Sequence, residues 1–205
     1  MNTTKAMIAA TATFATCAAG AQTWPQFENP MVHVMIAFDG TDLTAHTDST
    51  PLAMINYGDM HTAPADVLDG KYISSQYGFL ADGFITLPQD AAIWIEMTSA
   101  SAGIEAYEGG MRMMRQNHTY APMFGTAGSD AAWKWGGTMH HPWFAAANEG
   151  SYSMVVNLYI GDAATGAPLS GFGSESVTLS WQTVPAPASA ALFGLGGLVV
   201  SRRRR

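Results

Sequence analysis

The chain is poor in cysteine and in positive charge. Of its 205 residues only one is a cysteine, Cys17. A disulfide bond within the chain is therefore excluded, and at most one thiolate could bind a metal. Nine lysines and arginines stand against sixteen acidic residues, which gives a formal net charge of −7. This balance argues against nucleic acid and against an anionic membrane surface as the binding partner.

Recognised catalytic motifs are also lacking. The sequence has no Gly-x-Ser-x-Gly nucleophile elbow, no glycine-rich phosphate loop and no His-Glu-x-x-His zinc motif. The acidic residues are scattered, and spacing alone places no pair of them together. We therefore expect a binding or structural protein rather than an enzyme.

Residues 1–21 have the pattern of a secretory signal peptide. Lys5 supplies the positive charge, the run Ala6 to Ala18 is small and apolar, and a small-x-small sequence ends at Ala21. We expect signal peptidase to remove this segment. Cys17 falls within it, so the mature chain would hold no cysteine, and any bound metal would depend on His, carboxylate or Met ligands.

The C-terminal segment, residues 184–205, is the most specific feature of the sequence. Val184, Pro185 and Pro187 precede a short apolar run that ends at Val200. The chain then closes on a cluster of basic residues, Arg202, Arg203, Arg204 and Arg205. A helix over the apolar run would be about 22 Å long, which is short for a hydrocarbon core of about 30 Å.

This segment resembles the PEP-CTERM sorting signal, which an exosortase recognises and cleaves. The proline pair, the short helix and the terminal arginines match that pattern, whereas Ala186 stands where the family has Glu. The resemblance implies a protein of the cell surface or extracellular matrix of a Gram-negative bacterium, anchored transiently in the inner membrane. A plain C-terminal transmembrane helix is the alternative. Both interpretations place residues 22–183 outside the cytoplasm.

Short alternating segments predict that residues 22–183 form an all-β domain. Strand patterns run from Val32 to His46, Gly83 to Leu87, Ala91 to Ser101, Tyr152 to Ile160 and Val177 to Trp181. Regular spacing and the lack of a helical period favour an antiparallel β-sandwich, either jelly-roll or Ig-like. This ectodomain carries all sixteen acidic residues and only four basic ones, a net charge of −12.

The first strand pattern predicts a hairpin with two histidines on one face. If Asp39 and Gly40 form a two-residue turn, His33 lies directly opposite His46. Directly opposed residues have Cβ atoms about 4.5–5.5 Å apart, so the two imidazoles could share a metal ion. A loop of another length would break this pairing.

This hairpin, followed later in the chain by Gly137-Thr138-Met139-His140-His141, resembles the pattern of the choice-of-anchor M domain. It also resembles that of related PEP-CTERM proteins, which the zinc-uptake regulator represses. The resemblance maps His33 and His46 onto two of the family's histidines and His141 onto its closing one. Met139 and Met35 replace a family His and Asp. The resemblance implies a Zn²⁺ site formed by His33, His46 and His141, and a metal-uptake system as the partner. His61 is a further candidate ligand.

Alternation along a strand points His140 and His141 to opposite faces, so we expect only His141 to join the site. A thioether Cu(I) site is a second metal hypothesis, and its candidate ligands are Met111, Met113, Met114 and Met139.

A metal-free alternative uses aromatic side chains. Trp133, Trp135 and Trp143 could form an exposed platform on which a sugar stacks. The protein would then be a structural or polysaccharide-binding matrix module, with exopolysaccharide as its partner. Indifference to a chelator would distinguish this hypothesis from metal binding.

Overall fold

The computed structural model describes residues 22–28, 30–48 and 50–185, and its regular structure there is all-β. No α-helix occurs among these residues, which hold two short 3-10 helices, Ala65–Leu68 and Arg115–Asn117. The strands are β1 Val32–Phe38, β2 Leu43–His46, β3 Leu52–Ile55, β4 Tyr72–Ser74, β5 Tyr77–Ala81, β6 Ala91–Ala100, β7 Ile104–Gly110, β8 Ala132–Trp135, β9 His141–Ala146, β10 Ser151–Asp162 and β11 Glu175–Val184.

The described strands form a small and a large sheet. The small sheet has the order β2-β1-β5, in which β1 and β5 are parallel. The large sheet has the order β7-β9-β4-β3-β11-β10-β6-β8. Its strands β3 and β11 are also parallel, so the predicted antiparallel arrangement is wrong for two strand pairs. An isolated antiparallel bridge between Phe79 and His140 joins the two, with reciprocal backbone hydrogen bonds of 2.8 and 3.1 Å. The residues before β9 therefore lie against the edge of the small sheet.

One hydrophobic core is shared by both sheets. Val34 and Ile36 of the small sheet and Met154, Val156 and Leu179 of the large sheet are fully buried in it. The predicted alternation along β10 and β11 is confirmed, because the alternate side chains from Tyr152 to Ile160 and from Val177 to Trp181 are buried. Apolar burial on one face of each strand is what these sequence patterns encode.

Strand β9 is buried on both of its faces. Phe144 packs in the shared core, and Trp143 packs in a second cluster with Tyr120 and Leu68. The stretch after His141 is therefore an interior strand of the large sheet.

The predicted two-residue turn of the first hairpin is wrong. The loop spans Asp39 to Asp42, because the Asp39 carboxylate accepts the backbone N–H groups of Thr41 and Asp42 at 2.9 and 2.8 Å. His46 consequently pairs with Met35. The shift of two residues keeps each side chain on its expected face.

A second prediction fails at Gly83–Leu87, which is a loop and not a strand. Gly83 has a φ of +93°, outside the extended region, and Pro88 has no N–H for a strand ladder. Strand β6 lies where it was predicted.

Both terminal segments lie almost wholly outside the described residues. Val184 is the last residue of β11, where it pairs with Ile55, and Pro185 follows it. The predicted signal peptide, Pro187 and the four terminal arginines are not among the described residues. Within 22–28, 30–48 and 50–185, no helix has the length and apolarity needed to cross a membrane.

Candidate metal site

His141 is a fully buried histidine at the start of β9. Its Nδ1 lies 3.0 Å from the backbone oxygen of Ser75, and a carbonyl can only accept, so Nδ1 carries the proton. The lone pair of the neutral ring is then on Nε2, which is buried and has no hydrogen-bond partner. Burial lowers the pKa of His141 to about 4, and the nearby charge of Arg112 acts in the same direction, whereas the backbone of Ser75 and of Tyr77 acts against the shift.

His33 faces His141 across the junction of the two sheets. The ring centroids are 5.5 Å apart, and the ring planes meet at 66°. The Nε2 atom of His33 is also buried and without a hydrogen-bond partner. Two imidazoles thus each present a ring nitrogen whose bonding capacity is unused within the described chain.

Gly78 makes this approach possible. It pairs with His33 between the parallel strands β1 and β5, and the His141 ring occupies the space where a Gly78 side chain would be. A Cβ at Gly78 would lie no more than 2.8 Å from three atoms of that ring. No real Cβ contact is that short, so glycine is required for His141 to lie beside His33.

The other two predicted ligands lie outside this pair. His46 is exposed and sits opposite Met35, which places it diagonal to His33 and not across from it. His61 lies in the loop between β3 and β4, where its Nδ1 is 2.9 Å from a carboxylate oxygen of Asp69. Over residues 22–28, 30–48 and 50–185, no three His, Cys, Asp or Glu side chains gather as a metal site.

His140 points away from the pair, as alternation predicted. Its ring packs on Trp133 with the centroids 4.6 Å apart, and burial lowers its pKa to about 4. His118 is buried near Trp143, whose indole N–H donates to His118 Nδ1 at 3.0 Å. His118 Nε2 then donates to the backbone oxygen of Met111 at 3.1 Å, so both of its ring nitrogens are engaged.

The expected exposed tryptophan platform is wrong. Trp143 is fully buried and Trp135 is 4% exposed, since both indoles pack in hydrophobic clusters. Trp133 is partly buried between Phe124 and His140. A sugar stacks on an open aromatic face, and these side chains use their faces for packing.

The candidate copper ligands are mostly in solvent. Met111, Met113 and Met114 are exposed, and Met139 is partly buried.

Sequence reasoning missed Gly78 and Ser75, because nothing local in the sequence indicates that they surround a histidine more than sixty positions away.

Comparison of this chain with protein-family models, curated proteins and solved structures finds no match.

Proposed function

We propose that this chain is an exported, surface-associated metal-binding module in which His33 and His141 hold a divalent transition metal ion, with zinc preferred. The observation that carries the proposal is the pair of facing imidazoles, each with a buried, unpartnered Nε2. In this proposal the two sheets pack as a β-sandwich ectodomain, and the terminal segments direct its export and exosortase sorting.

The separation of the rings supports a shared ion. Two imidazoles that bind one tetrahedral Zn²⁺ through bonds of about 2.0–2.1 Å place their ring centroids about 5 Å apart. The observed separation is 5.5 Å, which is close to that value. The hydrogen bond from His141 Nδ1 to the Ser75 carbonyl is the kind of outer contact that orients a metal-ligating histidine.

The low pKa of His141 favours metal binding at neutral pH. An imidazole must be neutral to donate its lone pair, and a pKa of about 4 removes proton competition above pH 5. The Arg112 charge that helps to lower this pKa also disfavours a cation near His141. We therefore expect moderate affinity.

Two protein ligands leave the remaining coordination positions to water or to a partner's side chains. Closed structural zinc sites use four protein ligands, whereas an open site exchanges its ion. Such a site suits capture of zinc at the cell surface and transfer to a metal-uptake system, and it requires no catalytic group. The net charge of −12 on the ectodomain would raise the local concentration of cations.

Calorimetric zinc titration of the purified full chain tests the proposal. His141→Asn keeps a donor for the Ser75 carbonyl but removes Nε2, and we expect zinc affinity to fall at least tenfold, or about 1.4 kcal/mol. His33→Asn should have a similar effect. His46→Asn, which removes an exposed histidine of the same sheet, is the matched control and should change affinity much less.

Two results would contradict the proposal. One is wild-type zinc binding no tighter than the millimolar range. The other is zinc binding that survives both His33→Asn and His141→Asn while the variants remain folded.

A further inference from the structure

We propose that the groove between the β5–β6 loop and the end of β8 binds a small amphipathic carboxylate, which has an apolar body and one anionic head group. The groove encloses about 520 Å³. Ligand pockets in proteins commonly have volumes of about 300–1,000 Å³. None of its lining residues belongs to the His33–His141 pair, so this inference is independent of the proposed metal site.

The side chains that line the groove are mostly apolar. Ile85 and Leu87 are partly buried and pack against the main core, and the buried ring of Trp135 lines the same space. Alanine and glycine positions make up most of the remainder, and no carboxylate side chain contributes to the lining. Such side chains suit a hydrocarbon or aromatic body.

Phe84 stands beside the groove with its side chain almost wholly in water. It is 94% exposed, the highest value among the exposed large apolar residues of the described chain. It follows Gly83 in the loop that forms one wall. A ligand body lying along this wall would cover the ring and remove its apolar surface from water.

Lys134 is the only charged side chain that lines the groove. Its ammonium donates to the backbone oxygen of Ala163 at 3.0 Å, which holds the head of the side chain at this wall. The salt bridges of the described residues are His61–Asp69 and Lys71–Glu105, so none of them neutralises Lys134. The same ammonium lies 5.9 Å from the centroid of the Trp94 ring. A carboxylate seated here would add a charged partner to an ammonium that, within the described chain, has only a carbonyl and an aromatic ring beside it.

The charge of Lys134 distinguishes an amphipathic carboxylate from an amphipathic alcohol or amine of the same shape. The described domain is strongly acidic, and a single lysine facing an apolar groove is a local exception. An organic cation would be repelled at this position. A neutral molecule of the same shape would gain binding free energy from contact with the apolar side chains but not from the ammonium. We therefore expect affinity to decrease from carboxylate to alcohol to amine.

Binding of decanoate to the purified full chain tests the proposal, with decanol and decylamine as matched probes. Titrations are kept below the aggregation threshold of each compound and followed by calorimetry and by tryptophan fluorescence, because Trp135 lines the groove. We expect saturable decanoate binding that is at least tenfold tighter than decylamine binding.

Two variants separate the head group from the apolar walls. Lys134→Met keeps the apolar stem and should weaken decanoate at least tenfold while leaving decanol affinity unchanged. Gly136→Phe should abolish binding of both, because a side chain there meets nothing within 4 Å and would fill the groove. Gly136 does not have a positive φ, so the substitution brings no backbone strain, and an unchanged melting temperature verifies the fold.

The proposal is overturned if wild type shows no saturable decanoate binding, or if decanoate and decylamine bind equally. It is also overturned if Lys134→Met leaves decanoate affinity unchanged, or if a folded Gly136→Phe variant still binds decanoate. Retained zinc binding in these variants would show that the two sites are separate.

Discussion

Mild acid should destabilise this protein strongly, because burial in the folded chain keeps several of its histidines neutral. The pKa of His140 and of His141 is lowered from 6.5 to about 4 in the folded chain, chiefly by burial. Between these pH values the unfolded chain binds more protons than the folded chain, so the free energy of unfolding falls as pH falls. The full contribution is present above pH 6.5 and is lost progressively towards pH 4.

The magnitude follows from the two pKa values. Between pH 7 and pH 5, each of these histidines removes about 2 kcal/mol from the free energy of unfolding, and the two together about 4 kcal/mol. The pKa of His118 is also lowered by burial, so its effect has the same sign. Domains of this size are typically stable by about 5–15 kcal/mol, so much of the stability would be lost at pH 5.

Equilibrium urea unfolding at pH 7 and pH 5, with a chelator to remove metal linkage, measures this effect. His141→Asn should lose about 2 kcal/mol of the pH dependence, because its own titration is removed. His46→Asn leaves His118, His140 and His141 in place and should keep the full difference. A change below about 1 kcal/mol for the wild type would refute the reasoning, because burial would then not be keeping these rings neutral.

Three further outcomes are expected. Gly78→Ala should displace the His141 ring, lower stability by about 1–3 kcal/mol and weaken zinc binding in calorimetry, whereas Gly136→Ala, which meets nothing within 4 Å, should do neither. Trp143→Phe removes the donor to His118 Nδ1 and should cost at least about 1–3 kcal/mol in urea unfolding; no loss would contradict the buried hydrogen bond. Zinc at about 100 times its dissociation constant should stabilise the wild type by about 2.7 kcal/mol but not His141→Asn, and an equal shift in melting temperature for both would count against the proposed site.

Local sequence patterns were sufficient to assign side chains to a face of a strand where one face is buried. The alternation in β10 and β11 could be read from the sequence, since a period of two assigns each residue to a face whatever its partner strand. The same rule placed the side chains of His140 and His141 on opposite sides of the chain where β9 begins. It could not identify the partner strands, and the Gly83–Leu87 segment shows that apolar composition alone does not make a strand.

The sequence by itself determined the all-β class, the faces of the long strands and the absence of cysteine ligands from the described domain, because these depend on composition and on neighbours along the chain. Only the tertiary structure decided which histidines meet. The Asp39 side chain widened the hairpin loop and moved His46 away from His33. The parallel pairing of β1 with β5 set Gly78 beside His33, and the missing side chain of Gly78 admitted the ring of His141. Register and close packing arise between distant segments, and no local pattern encodes them.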